Sequence, residues 1–310
     1  MKKQRSTTEG KVNEVPRIKS APWCKSIQEF ATAQHSSQLT GEQKLRYNRH
    51  LILDGFGTEG QERLLKSRVL LVGVGGLGSP VALYLAAAGV GTLGIVDGDV
   101  VSITNLQRQV IHTTADVNRQ KVDVAAERIQ SLNPDVEVEK HPFFLSEGNA
   151  KELIKDYDFI IDGSDNFATK YLVNDACVML GKACCIGGIS RYSGQLMTHV
   201  PGSACYRCLF PEPPAIGDVE TCATVGVLGS IAGILGTLQA TECIKYLTGI
   251  GKLLTNTLLT FDALTMEWNR IDFPKLGTCA LCGECPTITE LKEYAFQPCN
   301  KSSYHSKENI

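Results

Sequence analysis

Aromatic residues make up only 7% of this 310-residue chain, and charge is scarce, with 31 Lys and Arg set against 33 Asp and Glu. A net charge of −2 leaves no basic surface for a polyanion, so no nucleic-acid partner is expected. Long apolar runs are missing too. The longest uncharged stretch, Thr221 to Thr241, is punctuated by Gly226, Gly229, Gly233 and Gly236. Its unbroken apolar part falls well short of the ~20 residues that cross a bilayer, so no membrane span is expected. It reads as a helix in the core or at a subunit contact, with glycines permitting close approach. The basic start, Met1-Lys-Lys-Gln-Arg5, has no apolar region behind it, which argues against a secretory signal. Residues 1–36 are polar and aperiodic and read as a disordered leader of a cytoplasmic protein, with an organelle transit segment as the lesser alternative.

Glycine is plentiful where it counts. In Arg68-Val-Leu-Leu-Val-Gly-Val-Gly-Gly-Leu-Gly-Ser79 an apolar run breaks into glycines at 73, 75 and 78, and a small-residue helix follows. Gly73 allows the tight turn, Gly75 lets backbone approach a phosphate, and Gly78 lets helix and strand pack closely. The helix N-terminus offers unpaired N–H groups to an anion. Asp97 ends the next apolar run, where its carboxylate can accept from both ribose hydroxyls. Alone the glycine pattern is weak; with flanking strand, helix and acid it marks a nucleotide site. It does not say which nucleotide, so an NAD-linked oxidoreductase is the first rival.

Cysteine is plentiful as well. Twelve cysteines without an export signal argue for reduced thiols serving metal or chemistry. Cys205-Tyr-Arg-Cys208 and Cys279-Ala-Leu-Cys282 supply the four thiolates of a closed tetrahedral zinc site. Cys285 is an alternative ligand in this reading. Cys184 and Cys185 fall in an apolar strand and read as core.

Thr40-Gly-Glu-Gln43 has the form of a capping box opening a helix through Arg49, with a short helix near 60–66. Strands at 68–73, 92–97, 135–140, 158–162 and 183–187 then alternate with helices at 79–89, 119–131, 147–155 and 167–180. This α/β rhythm predicts a Rossmann-like, mostly parallel sheet with helices on both faces. From Tyr192 the rhythm changes: a strand over 195–200, a Pro-rich loop 201–220, the glycine-containing helix, and strands near 256–262 and 267–272 form an antiparallel extension. Residues 37–285 make one domain with a zinc clip, and 286–310 a polar, frayed tail.

A polar set follows the strand ends: Asn105-Leu-Gln-Arg108 after the second, Lys121 on the next helix, and Asp165-Asn166 after the fourth. Two cations aimed at one phosphate site exceed the needs of a dinucleotide and suit a triphosphate. A carboxylate at Asp165 is badly placed for phosphate unless Mg²⁺ sits between them.

Arg46-Tyr-Asn-Arg49-His50, Gly73-Val-Gly-Gly-Leu-Gly78, Asn105-Leu-Gln-Arg-Gln109, Ser164-Asp-Asn166 and the two cysteine pairs resemble the ThiF/MoeB/HesA family, bacterial relatives of ubiquitin-activating enzymes. The resemblance runs from about residue 42 to 285. It implies ATP-dependent adenylation of the C-terminal glycine of a ubiquitin-like sulfur carrier, ThiS- or MoaD-like. It also implies a nucleotide set of Gly73, Gly75, Gly76, Gly78, Asp97, Asp99, Asn105, Gln107, Arg108, Lys121, Asp165 and Asn166, with Mg²⁺ on Asp165 and zinc on the four cysteines. Arg49 matches an arginine that reaches the partner's ATP in a homodimer. Cys222 precedes the long helix, whose N-terminus lowers a thiol pKa. Relatives with a reactive cysteine carry it there, forming a thioester or acyl disulfide; a buried small residue is the other reading. Some eukaryotic relatives carry a rhodanese-like domain that this sequence lacks, so a separate persulfide donor is expected. The rivals are a tRNA-modifying cyclase or dehydratase of the same superfamily, the NAD oxidoreductase, and a non-catalytic scaffold.

Overall fold

A computed structural model of the chain describes residues 39–214 and 225–294. The leader, Cys222 and the end of the tail lie outside the described residues. The capping box forms: Thr40 Oγ1 accepts from the Gln43 amide and Gln43 Oε1 from the Thr40 amide, both at 3.1 Å. The helix expected through Arg49 is instead two pieces, α1 (Gly41–Arg46) and α2 (Asn48–Leu51). The break falls at Tyr47, whose ring turns inward against Gly89 and whose hydroxyl accepts from Asn133 Nδ2 at 2.9 Å. Helix α3 (Gly57–Lys66) follows.

One sheet of eight strands organises the rest, in the order β3-β2-β1-β4-β5-β6-β7-β8. Its parallel half is β1 (Arg68–Val72), β2 (Thr92–Val96), β3 (Glu137–His141), β4 (Phe159–Asp162) and β5 (Ala183–Ser190). Antiparallel β6 (Ser193–His199), β7 (Thr257–Asp262) and β8 (Glu267–Asp272) extend it. Val72 is in register with both Val96 and Asp162, and Val96 with His141, so β1 to β4 end at one level. The chain leaves β1 for β2 on one side and returns to β4 on the other. That reversal is where ligands bind in open α/β sheets.

Helices cover both faces. On one, Leu70, Val72, Ile160, Cys184 and Ile186 pack with Tyr171, Val173 and Ala176 of α7 (Phe167–Leu180) and with Ala150 and Ile154 of α6 (Glu147–Ile154). On the other lie α4 (Gly78–Ala88), α5 (Lys121–Leu132) and the long α9 (Gly229–Thr248), which meets Phe159 through Tyr246 and Gly187 through Gln239. The short α8 (Tyr206–Leu209) carries the first cysteine pair. In α9 the expected close approach is selective: a Cβ at 236 would lie 2.3 Å from the Leu77 carbonyl oxygen, whereas one at 233 meets nothing within 4 Å. Among the described residues no helix is long and apolar enough to cross a membrane. The tail expected to fray from 286 instead packs as far as it is described, with Ile288, Leu291 and Tyr294 against the core. Tyr294 Oη donates to Asp175 Oδ2 at 2.7 Å.

Candidate active site

The glycine loop is built as its spacing requires. Gly73 holds φ +86°, a left-handed conformation that a side chain would strain. A Cβ at 78 would sit 2.0 Å from the Gly73 carbonyl oxygen, so only glycine lets α4 start there. No side chain caps α4, which leaves its first turn to an outside anion. Gly76 leaves room for the Arg108 side chain, whose Cγ is 3.5 Å from where a Cβ would be.

At the end of β2, Asp97 is 7% exposed. Its Oδ2 accepts from the Val74 amide at 3.0 Å and its Oδ1 from the Asp99 amide at 2.9 Å. Burial raises its pKa above the usual carboxylate value, while Lys121 and the two amides pull it back down. Lys121 is 5% exposed, with Nζ 2.9 Å from Asp99 Oδ2 and 3.9 Å from Asp97 Oδ2. The sequence reading placed this lysine on phosphate. Here its ammonium sits with the two acids at the β2 end.

Arg108 lies in the turn after the short 3₁₀ helix Ile103–Asn105, and the Asn105 carbonyl accepts its amide at 3.1 Å. Gln107 is wedged against Gly229, where a Cβ would meet its carbonyl oxygen at 2.2 Å, so the turn abuts the start of α9. Asp165 is exposed and makes no ion pair among the described residues. Asn166 caps α7, its Oδ1 accepting from the Thr169 amide at 2.8 Å. The connections that follow β1, β2 and β4 therefore bring the glycines, Asp97, Lys121, Arg108 and Asp165 to one edge of the sheet. Arg49 is exposed on α2, away from these loops in sequence and with no ion pair among the described residues.

Several residues at this edge escaped the sequence reading. Lys170 is buried and donates to Asp162 Oδ2 at 2.8 Å, the Ser164 carbonyl at 2.9 Å and the Gly187 carbonyl. It fixes the loop that carries Asp165. Its only signal was a lone charge in an otherwise apolar helical turn. Gln109 and His112, each 5% exposed, follow Arg108 in the same turn, and among the described residues neither Gln109 Oε1 nor either imidazole nitrogen has a hydrogen-bond partner of good geometry.

The four paired cysteines converge. Sγ atoms of Cys205 and Cys279 are 3.8 Å apart, those of Cys208 and Cys282 3.4 Å, and all four lie within 4.8 Å. A disulfide requires about 2.05 Å. Four thiolates at about 2.3 Å from a tetrahedral Zn²⁺ stand about 3.8 Å apart, so the donor set and spacing fit zinc. Cys285 is exposed and outside the cluster, which removes it as the alternative ligand. Cys184 and Cys185 are buried strand residues, as expected. Arg207, between Cys205 and Cys208, is clamped to Asp175 by bonds of 2.8 and 2.9 Å and lies over the Tyr171 ring at 4.7 Å. Tyr171 Oη also reaches the carbonyls of Phe210 and Glu212, and the Arg191 amide donates to the Gly226 carbonyl. Both flanks of the segment holding Cys222 are thus anchored.

The model of the ThiF family matches residues 47–281. A sulfur carrier protein adenylyltransferase of Thermus thermophilus is 47% identical over 261 residues, which cover 82% of this chain and 96% of that protein. A probable adenylyltransferase/sulfurtransferase MoeZ of Mycobacterium tuberculosis is 48% identical over 264 residues, 84% of this chain and 66% of MoeZ. The chain therefore spans just under two thirds of that second relative. The crystal structure of E. coli MccB with MccA-N7isoASN has the same fold, with a TM-score of 0.70 at 20% identity over 80% of this chain and 76% of that one. A family match across most of the chain, and near half-identity to a protein it covers almost end to end, establish that this protein belongs to the ThiF family.

Proposed function

We propose that the protein is an ATP-dependent adenylyltransferase that activates the C-terminal Gly-Gly carboxylate of a ubiquitin-like, ThiS- or MoaD-like sulfur carrier for thiazole or molybdopterin synthesis. The observation that carries this reading is the common level at which β2, β1 and β4 end. It sets Asp97, the glycine loop and the exposed Asp165 side by side, which supports ribose, phosphate and metal roles for them in that order. The 47% identity to the Thermus thermophilus sulfur carrier protein adenylyltransferase supports the same substrate.

The chemistry needs no catalytic base. A glycine C-terminal carboxylate has a pKa of about 3.5 and is ionised at neutral pH. Its oxygen attacks the α-phosphorus, the bond from that phosphorus to the bridging oxygen breaks, and pyrophosphate leaves. What the protein supplies is alignment and relief of repulsion between two anions. Arg108 over Gly76 and the start of α4 face the phosphates, and Asp97 holds the ribose. Lys121 neutralises Asp97 and Asp99, and its ammonium turns to phosphate once a nucleotide competes with Asp99. Asp165, with no ion pair among the described residues and two residues beyond Gly163 against the glycine loop, fits a Mg²⁺ shared with substrate phosphates. Bound there, that ion would screen phosphate charge. We place Arg49 in the site of a second copy within a homodimer, and assign Cys222 to acyl or sulfur transfer after adenylation, with persulfide from a separate protein.

The test is ATP–pyrophosphate exchange with a carrier ending in Gly-Gly. Arg108→Ala and Asp165→Ala are expected to reduce exchange by about 100-fold or more, the scale on which a removed transition-state donor acts, in a folded protein. Near-normal exchange in either removes that residue from the mechanism. Mixing Arg49→Ala with Asp165→Ala chains is expected to regain activity, because one site per mixed dimer is then complete. No recovery places Arg49 outside the partner's site.

A further inference from the structure

The order of the strands says where the nucleotide's base must go. Asp97, which holds the ribose, ends β2; the phosphate loop follows β1; Asp165 follows β4. In the sheet these strands run β2-β1-β4, so the phosphates extend from the ribose toward β4. The base is attached to the other side of the ribose. It therefore lies over β3, about 4.8 Å beyond β2.

The chain that leaves β3 is His141-Pro-Phe-Phe-Leu145. Phe144 is 64% exposed, yet its ring is not loose on the surface. It lies against Gly98, between the two acids of the β2 end; a Cβ there would be 2.8 Å from ring carbons Cδ2 and Cε2. The backbone beneath it is fixed on both sides. Asn149 Nδ2 donates to the Phe144 carbonyl at 3.1 Å, Leu145 packs into the core, and the Phe143 ring sits 5.7 Å from that of His141. An aromatic side chain held in place with most of its surface bare, next to the ribose acid, has the form of a stacking platform. Gly98 is the complement: any side chain at that position would displace the ring.

We propose that Phe144 is the residue on which the purine base of the nucleotide stacks. This rests on the nucleotide reading above and adds a base-binding residue to it. Stacking between a base and an aromatic ring is worth enough that its loss weakens binding by about 10-fold.

The experiment is calorimetric titration of the full chain with ATP–Mg²⁺, comparing wild type with Phe144→Ala and Phe144→Tyr, alongside urea unfolding of each. Phe144→Ala is expected to raise the Kd about 10-fold without moving the unfolding midpoint, and Phe144→Tyr to retain wild-type affinity. Stacking also quenches the emission of 2-aminopurine riboside triphosphate, and that quench is expected in wild type and lost in Phe144→Ala. An unchanged Kd and quench in Phe144→Ala overturns the proposal. So does a loss of affinity that Phe144→Tyr fails to restore, or one that accompanies a fall in the unfolding midpoint. Wild type that binds no ATP–Mg²⁺ is a different result: it removes the adenylyltransferase reading, and the platform with it.

Discussion

His112 shows how one side chain ties the site to pH. Burial first, and then the charge of Lys121, lower its pKa to about 4, with Arg128 acting in the same direction and Asp116 against it. The folded imidazole is neutral above that value, while an unfolded histidine titrates near about 6.5. Between those two values the unfolded chain holds a proton that the folded chain refuses, so stability falls as pH drops through this window. His112→Gln is expected to flatten the fall in unfolding free energy between pH 7 and pH 5 by about 1–2 kcal/mol, read by urea titration at the two pH values. An unchanged slope means that the imidazole is protonated in the fold. Asp116 acts in the same sense at lower pH: hydrogen bonds from Thr113 and the charge of Arg128 hold its pKa at about 2, so its contribution is lost only in strong acid.

At the scale of one element, α9 separates two uses of glycine that its sequence does not distinguish. Gly236 faces the carbonyl of Leu77, at the turn into α4, and its missing side chain lets the long helix press on the glycine loop. Gly233 faces open space. Gly233→Ala is therefore expected to stabilise the fold by about 0.5–1 kcal/mol, the helix-propensity difference. Gly236→Ala is expected to destabilise it by about 1–3 kcal/mol, since backbone must move to admit the methyl group. Chemical denaturation of both variants checks the pair, and equal effects would mean that the packing of α9 on α4 is misplaced. The glycine loop was easier to read, because three glycines at fixed spacing between a strand and a helix leave few conformations. Tyr47 shows the reverse. Its helix was visible in a capping box, but the break came from a ring drawn 86 residues away to Asn133, which no local pattern announces.

At the scale of the whole molecule, the cysteine cluster joins α8 to a segment more than seventy residues later, and Arg207 binds the same junction to Asp175 and Tyr294. A metal held by four thiolates across so long a loop would contribute directly to folding. Cys205→Ser is expected to lower zinc content well below one ion per chain and to lower the unfolding midpoint, whereas Cys285→Ser leaves both at wild-type values. Metal analysis and thermal unfolding provide the readout. Loss of zinc in Cys285→Ser would contradict the cluster as built. Both cysteine pairs were legible from spacing alone, because C-x-x-C fixes local geometry. Cys285, three residues on, was separated from them only by the fold.

By itself the sequence determined the alternation of strands and helices, the glycine loop with its acid, and the two cysteine pairs suited to a metal. Each is set by short-range rules: side-chain period, glycine conformational freedom, ligand spacing. Only the tertiary structure decided which strand ends share a level, that Lys121 rests on Asp97 and Asp99, and that Lys170 braces the loop before Asp165. It alone also set Phe144 over Gly98. Those pairings join residues brought together by strand order and helix crossings, and a linear pattern carries no record of which distant backbone will lie alongside.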